Sequence, residues 1–476
     1  MSRRASSRTC GIQKQIIIQM KKEIKNPRRD FIKKSVFTAA GMSIIPGFVM
    51  GENGSVTFIT EQLSKVSAGQ NGIMKVAFIT HIYRNSAHAD VIGTKLFLGI
   101  PTDDGMITPQ IKIASVYIEQ IGANDTGVKI AKMNNTPVYS TVEEALTLGG
   151  DKLAVDAVIY VGEHGEYPNN RLGMKLYPRM NYLERIFRVF DASNKSVPVF
   201  TDKALSYSWL DSKWIYDRAR ELNVPLMAGS SLPYGWRDQP LEHPIGTKIS
   251  EAVAIGYLSL DAYGFHVTEI LQCMVERRKG GETGVDSVEG LQGNDVWAAI
   301  DSGRISGALV DAACEAVKGK VPGTMRDLVK MPYAVIVKYS DGTKGTILML
   351  NGYMNSKWAY AAKANGKTVA TEFVLDSSMS YSHFSYLSLN IQKFIVTGKP
   401  TAPVERNLMT SGIIDMGIRS LAKGEVIKTP FLKIKYNVEG YEPIRPVSTR
   451  PTGQSIGPWP PKGYEFIIPD AFKEKK

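Results

Sequence analysis

The chain has 476 residues, enough for two or three domains, and its hydrophobic and charged fractions of 43% and 22% are ordinary globular values. Of its formal charge of +12, the first 34 residues carry +9, from eleven Lys/Arg against Glu23 and Asp30, which leaves only +3 for the rest. No long basic run with interleaved aromatics remains beyond that point, which argues against nucleic-acid binding. The three cysteines (Cys10, Cys273, Cys314) show no metal spacing and no disulfide framework, and leave open one bridge or two buried thiols.

Residues 1–54 read as a leader. Asn26-Pro27-Arg28-Arg29-Asp30-Phe31-Ile32-Lys33, followed by a mildly apolar run from Ser35 to Met50, matches a twin-arginine export signal. That run is too short and too rich in Gly, Ser and Pro to span a membrane. Met20-Lys21-Lys22 offers an alternative start. The expectation is a periplasmic protein, exported folded, with no integral membrane segment in the mature chain.

After the leader, Lys75–Thr80 is an apolar strand and Ile111–Ile118 a second. Asp125–Met133 has helical spacing, and Pro137-Val138-Tyr139 is a short strand. Thr141–Leu148 starts a helix, with Thr141 and Glu144 spaced as a capping box. Val155–Val161 is a continuous apolar strand of the kind buried on both faces of a parallel sheet. Tyr182–Phe190 is amphipathic. Val197–Ser231 then reads as strand, turn with Asp202-Lys203, helix, and strand ending at Gly229. Strands alternating with helices over roughly 75–235 predict a doubly wound parallel sheet. Beyond Gly235 the pattern changes. Asp261–Arg277 is a helix, Tyr333–Tyr339 and Lys344–Leu350 form a hairpin, Thr368–Val374 is a strand, and Ser385–Val396 and Met409–Ala422 are helices. This predicts an α+β domain with a mostly antiparallel sheet over 236–436, followed by a Pro/Gly-rich extended tail over 437–476.

Several segments resemble the glucose–fructose oxidoreductase and inositol dehydrogenase (Gfo/Idh/MocA) family over roughly residues 75–435. Pro137–Leu146 and Val155–Ile159 are similar to the segment around that family's fourth strand. Val199-Phe200-Thr201-Asp202-Lys203-Ala204-Leu205 resembles its Glu-Lys-Pro turn, Tyr263–Glu269 its Gly-x-His-x-x-Asp segment, and Thr397-Gly398-Lys399-Pro400 the loop before its last helix. The resemblance implies a Rossmann-like NAD(P)-binding-type domain, NAD or NADP as cofactor, a sugar or polyol as substrate, and a homo-oligomer. It places Lys203 and His266 beside the carbon that loses hydride, as proton-handling groups. On the cofactor side it places Thr80, Arg84, Ser86, Glu119, Glu163, His164 and Asp202, with Arg84 and Ser86 reaching phosphate by side chain and Glu119 near the ribose. Tyr167, Asn170, Arg171, Tyr263 and Glu269 stand on the substrate side, in a polar and aromatic setting that suits carbohydrate.

The sequence departs from the family pattern at defined points. The first turn, Thr80–Asp90, has no glycine, where a dinucleotide-binding turn uses G-x-G-x-x-G to let backbone approach the pyrophosphate. Ala204 replaces the proline after the lysine, Ala262 replaces an acid, and Glu269 replaces an Asp. These departures keep open a non-redox descendant of the fold: a metal-dependent lyase or hydrolase, or a sugar-binding protein. For the metal version, His81, His88, Asp90 and His164 are the ligand set to test, with Glu163 and Glu166 nearby.

Overall fold

The computed structural model describes residues 72–452 and 459–472. The export signal expected over 1–54, and Cys10 with it, lie outside the described residues.

The first half runs β1 (Met74–Thr80), a π-helical turn (Asp90–Thr94) leading into α1 (Lys95–Leu98), a small hairpin of β2 (Ile100–Thr102) and β3 (Gly105–Ile107), then β4 (Ile111–Ile118), α2 (Gly127–Met133), β5 (Val138–Tyr139), α3 (Val142–Thr147), β6 (Ala157–Val161), α4 (Arg179–Ser193), β7 (Val199–Asp202), α5 (Trp209–Glu221) and β8 (Leu226–Gly229). Six of these strands form one parallel sheet in the order β5-β4-β1-β6-β7-β8. The winding reverses between β1 and β6, and open α/β sheets place their ligand crevice outside the carboxyl ends of the strands at such a switch point. Of the two strands flanking the reversal, β1 is buried from Val76 onward and β6 along its whole length, as central parallel strands must be. The capping box forms at α3: the Thr141 hydroxyl accepts from the Glu144 amide, and the Glu144 carboxylate accepts from the Thr141 amide, each at 3.1 Å.

The second half runs β9 (Trp236–Asp238), β10 (Ile249–Gly256), a π-helical turn (Leu260–Gly264) into α6 (Phe265–Val275), β11 (Val285–Gln292), α7 (Asn294–Asp301), α8 (Gly307–Ala316), α9 (Met325–Leu328), β12 (Tyr333–Tyr339), β13 (Lys344–Met349), β14 (Ala359–Ala364), β15 (Lys367–Val374), α10 (Ser382–Thr397), α11 (Val404–Lys423) and β16 (Ile427–Lys428). Its eight strands are ordered β16-β11-β12-β13-β10-β14-β15-β9, antiparallel except for β10 against β13. The fold class expected from the sequence is therefore observed. Apolar periodicity misses the strands β10, β11 and β14 and the helices α7 and α8. It also starts α11 too late, because Glu405, Arg406 and the buried Asn407 make its first turn polar. Asn407 serves the turn after β7, and Asp415 accepts from the Trp209 amide at 2.8 Å.

Helix α11 packs on α5, α6 and β11 and so joins the two sheets. Past β16 the chain returns along the molecule. Asn390 holds Ile444 by both backbone groups, at 2.8 and 2.9 Å, and the Asn85 side chain donates to the Phe466 carbonyl at 3.3 Å. Cys273 and Cys314 are two buried free thiols. Among the described residues no helix is long and apolar enough to cross a membrane.

One close approach fixes the seat of the first helical turn. A Cβ built on Gly93 would stand 2.8 Å from the Tyr83 hydroxyl and 2.9 Å from the Phe78 ring. Gly93→Ala should therefore force α1 off β1 and destabilise the protein by about 1–3 kcal/mol, the usual cost of overpacking, read as a lower midpoint in urea at unchanged m-value.

Candidate functional site

The carboxyl ends of β6 and β7 carry a buried charge network. Glu163, two residues past β6, has one carboxylate oxygen on Arg179, the first residue of α4, and the other on the Lys203 ammonium at 2.9 Å. The three side chains are between 2% and 11% exposed. Burial alone would raise the Glu163 carboxyl, but Lys203 and Arg179 outweigh it and hold the group far below the ordinary carboxylate range. Arg179 also donates to the Asp202 carbonyl at 2.6 Å. Lys203 stands in the left-handed region (φ 56°), a strained conformation for a side chain with a Cβ. Its backbone is pinned there on both sides. The amide donates to Gly229 O at 3.0 Å and the carbonyl accepts from Asn407 Nδ2 at 2.6 Å. Ser86 and His164 are also left-handed, so the ends of β1, β6 and β7 each carry such a residue near the crevice.

Histidines gather on this network. His88, from the turn after β1, bonds Asp202 through Nδ1 at 2.7 Å, and the Asp202 side chain is fully buried with Oδ1 unpartnered among the described residues. The His88 and His164 rings lie 5.3 Å apart. His266, at the start of α6, is held well below the ordinary histidine range, first by burial and then by the Lys203 and His88 charges, with His383 of α10 also adjacent. Burial and the His88 charge likewise push His164 down to about 3. Burial and Lys95 push His383 down to about 3. At neutral pH these three rings are uncharged, and each has a buried Nδ1 without a partner among the described residues. A neutral imidazole beside a lysine ammonium can accept a proton while the ammonium steadies a developing oxyanion. Around His266 stand Tyr263, at 5.6 Å between centroids, and Trp358, at 5.8 Å. Tyr263 stacks on Trp358 and touches Tyr257.

The residues expected from sequence separate into two groups. Glu163, His164, Asp202, Lys203, Tyr263 and His266 come together, joined by His88 from the metal alternative. The rest of that alternative does not converge. His81 lies in an aromatic box, bonding the Tyr160 hydroxyl at 2.9 Å with its ring 4.9–6.2 Å from those of Tyr160, Tyr167, Tyr177 and Tyr182. Asp90 folds back under its own turn, accepting from the Ser86 amide at 2.9 Å and the Thr94 hydroxyl at 2.6 Å. No group of three His, Cys, Asp or Glu among the described residues has metal-binding geometry. Thr80, Asn170 and Glu269 spend their polar atoms inside the chain. Thr80 donates to Val161 O at 3.0 Å, Asn170 accepts the Leu172 and Met174 amides, and Glu269 accepts the Ser230 amide at 2.9 Å and its hydroxyl at 2.5 Å. Arg171 is exposed. Arg179 and His383 carried no signal in their own neighbourhoods, since an arginine opening a helix and a histidine in a serine-rich helix start are both common. A carboxylate two residues past a buried strand, as Glu163 is, is the signal by which a cationic partner could have been sought.

A cleft of about 580 Å³ opens beside the network at the ends of β1, β4 and β6, bordered by Tyr83, Arg84, Gln120, Asp125 and Glu166. Its position is where a dinucleotide would lie, yet the groups that would hold one are engaged within the chain. The Ser86 amide, at the start of the helical turn, is bonded to Asp90, so a carboxylate already sits where a pyrophosphate would be received. The Glu119 carboxylate accepts the Tyr167 hydroxyl, and Asp202 is bonded to His88. Arg84 is exposed at the cleft, as are Asn124 and Glu166. These residues do not fit a dinucleotide held in the usual manner.

The chain matches no family profile and no curated protein sequence. Similar solved structures include GenD2 from gentamicin A biosynthesis in complex with NAD, at 12% identity over 75% of this chain and 97% of that one, with a TM-score of 0.48. A myo-inositol 2-dehydrogenase from Lactobacillus plantarum matches at 11% identity over 75% and 99%, with a TM-score of 0.46. An oxidoreductase from Agrobacterium radiobacter in complex with NAD+, L-tartaric acid and magnesium matches at 12% identity over 75% and 98%, with a TM-score of 0.44. The fold class rests on the strand orders given above and takes nothing further from these likenesses.

Glu269 provides a pH test of the packing behind the site. Burial pushes its carboxyl up to about 7 from an ordinary 4.5. Between those values the folded chain holds a proton that the unfolded chain has released, so this group costs stability as pH rises through the window, and the cost is complete above about 7. Glu269→Gln removes the titration. In chemical denaturation its stability relative to wild type should improve by about 3 kcal/mol between pH 4.5 and pH 7.5.

Proposed function

We propose that the protein is an enzyme that transfers protons on a sugar or polyol, with Lys203 and His266 as the working pair, and that it does so without a bound nicotinamide dinucleotide. The observation that carries this reading is the triple engagement of Ser86, Glu119 and Asp202, which leaves an acid–base site intact while closing the grip on a cofactor. His266, uncharged at neutral pH, takes a proton from a substrate hydroxyl or from carbon beside a carbonyl. Lys203, fixed by Glu163, faces the resulting negative charge as a hydrogen-bond donor. The half-buried ring of Tyr263 beside His266, with Tyr257 next to it, suits the apolar face of a sugar. The twin-arginine pattern at Arg28-Arg29 supports export, which places the enzyme in the periplasm and has it cross the membrane already folded.

A second reading keeps the oxidoreductase chemistry, with hydride passing between the substrate and NAD or NADP. The cleft of about 580 Å³ at the ends of β1, β4 and β6 favours it. Calorimetric titration of the folded protein with NAD, NADH, NADP and NADPH separates the two. The first reading expects no binding in the micromolar range, and a micromolar dissociation constant for any of the four would establish the second. Across a panel of sugars and polyols, Lys203→Met and His266→Gln should each lower kcat by about 10²–10⁴-fold on whichever substrate is turned over, with circular dichroism unchanged. Full turnover by both variants would remove the pair from the mechanism.

A further inference from the structure

A second charged cavity lies at the far end of α6 from His266. It is enclosed by β9, the carboxyl end of α6, the start of α11 and the tail around residues 438–445. Four arginines line it (Arg237, Arg277, Arg406 and Arg445) against two carboxylates, Glu242 and Glu276. Glu276 is consumed by Arg406, which bonds both its oxygens, and by the Tyr436 hydroxyl at 2.9 Å. Glu242 is left to serve Arg237, Arg277 and Arg445 together. Three guanidiniums thus share one carboxylate, a surplus of two positive charges. Arginine cannot shed its proton to relieve this, and buried charge without a counter-ion is strongly unfavourable.

The strain shows on Arg237. Its side chain is 6% exposed, and its Nε is buried with no hydrogen-bond partner among the described residues. Its Nη atoms are already used on Leu241 O, Glu242 and Pro233 O. Burial, and then repulsion from Arg445 and Arg277, push Arg237 down to about 9. Burial and Arg445 also lower Arg277, and burial lowers Arg445. The neighbouring Cys273 thiol supplies no charge, because burial pushes it up. Neither does Tyr234, which burial also raises.

We propose that this cavity is a binding site for one small monovalent anion of the halide class, held by the free Nε–H of Arg237 and by Arg277 and Arg445. The cavity volume is about 20 Å³, room for one water-sized centre. A halide is the anion class nearest to that space in size. The bound ion balances part of the surplus charge, satisfies the orphaned Nε–H, and ties the tail to β9, α6 and α11.

The test is thermal unfolding of the full chain at fixed ionic strength while sodium gluconate is exchanged for sodium chloride or bromide. A saturable rise in Tm with halide is expected, as for a ligand that binds only the folded state. Arg237→Gln should abolish it. If that variant does not fold, Arg445→Gln, on the exposed side of the site, should raise the half-saturating halide concentration tenfold or more. Crystals soaked in sodium bromide should show an anomalous peak within hydrogen-bond distance of Arg237 Nε. A halide response that does not saturate or is unchanged in both variants, a stabilisation by sulfate alone, or no bromide peak at Arg237 would overturn the proposal. None of these readouts depends on turnover or on the acid–base reading of Lys203 and His266.

Discussion

The buried carboxylate of Glu163 is the point on which the rest of the crevice depends. It is the one negative charge shared by Arg179 and Lys203, and it links the ends of β6 and β7 to the start of α4. A buried pair gains little net stability when complete, but removing one partner leaves an uncompensated charge at a cost of about 3–5 kcal/mol. The network therefore acts chiefly as a constraint. With Glu163 in place, Arg179 can reach the Asp202 carbonyl, Asp202 can take His88, and Lys203 is kept extended toward the crevice in spite of its left-handed backbone.

The same burial that makes the carboxylate costly keeps the surrounding histidines neutral. His164, His266 and His383 sit among cations and away from water, so all three are far from protonated at pH 7. A cluster of this kind adds no charge next to Lys203, while the same burial and neighbouring cations make each ring a weaker base than a free imidazole. In the cleft beside it Tyr83, Gln120 and Asp125 bond within the chain, whereas Arg84, Asn124 and Glu166 stay exposed. The first turn shows such internal bonding best: Tyr83 fills its interior and bonds Thr94, and Asp90 closes on the Ser86 amide, so the loop gains from its own side chains the order that glycines and a bound phosphate would otherwise provide.

Much of the scaffold could be read along the chain. The run at Lys75–Thr80 read as an apolar strand and Val155–Val161 as one of the kind buried in a parallel sheet, and Thr141 with Glu144 marked a helix start that the structure shows as a closed capping box. Lys203, Glu163 and Asp202 were legible because charged residues directly after apolar strands fall at the carboxyl edge of the sheet. His266 was legible through the resemblance at Tyr263–Glu269. The start of α11 was obscured by its buried polar residues, which pack against the turn after β7 and break the apolar period. His81 and Asp90 were misread as partners of His88 because alternation along an irregular turn does not say which way a side chain faces. One points into the aromatic box and the other under the helix.

Local pattern thus shows most strands and helices of the parallel-sheet half and fewer of the second, since periodicity and caps depend on neighbours three or four residues away. It also puts the reactive residue types at the strand ends. Pairing over distance belongs to the folded chain. His88 meets Asp202 across 114 positions and Asn407 meets Lys203 across 204, contacts to which no local spacing points. Whether Ser86, Glu119 and Asp202 are free for a cofactor or engaged within the protein is a question of the same kind. A polar group's availability depends on burial and on its nearest partner, and both exist only once the chain has folded.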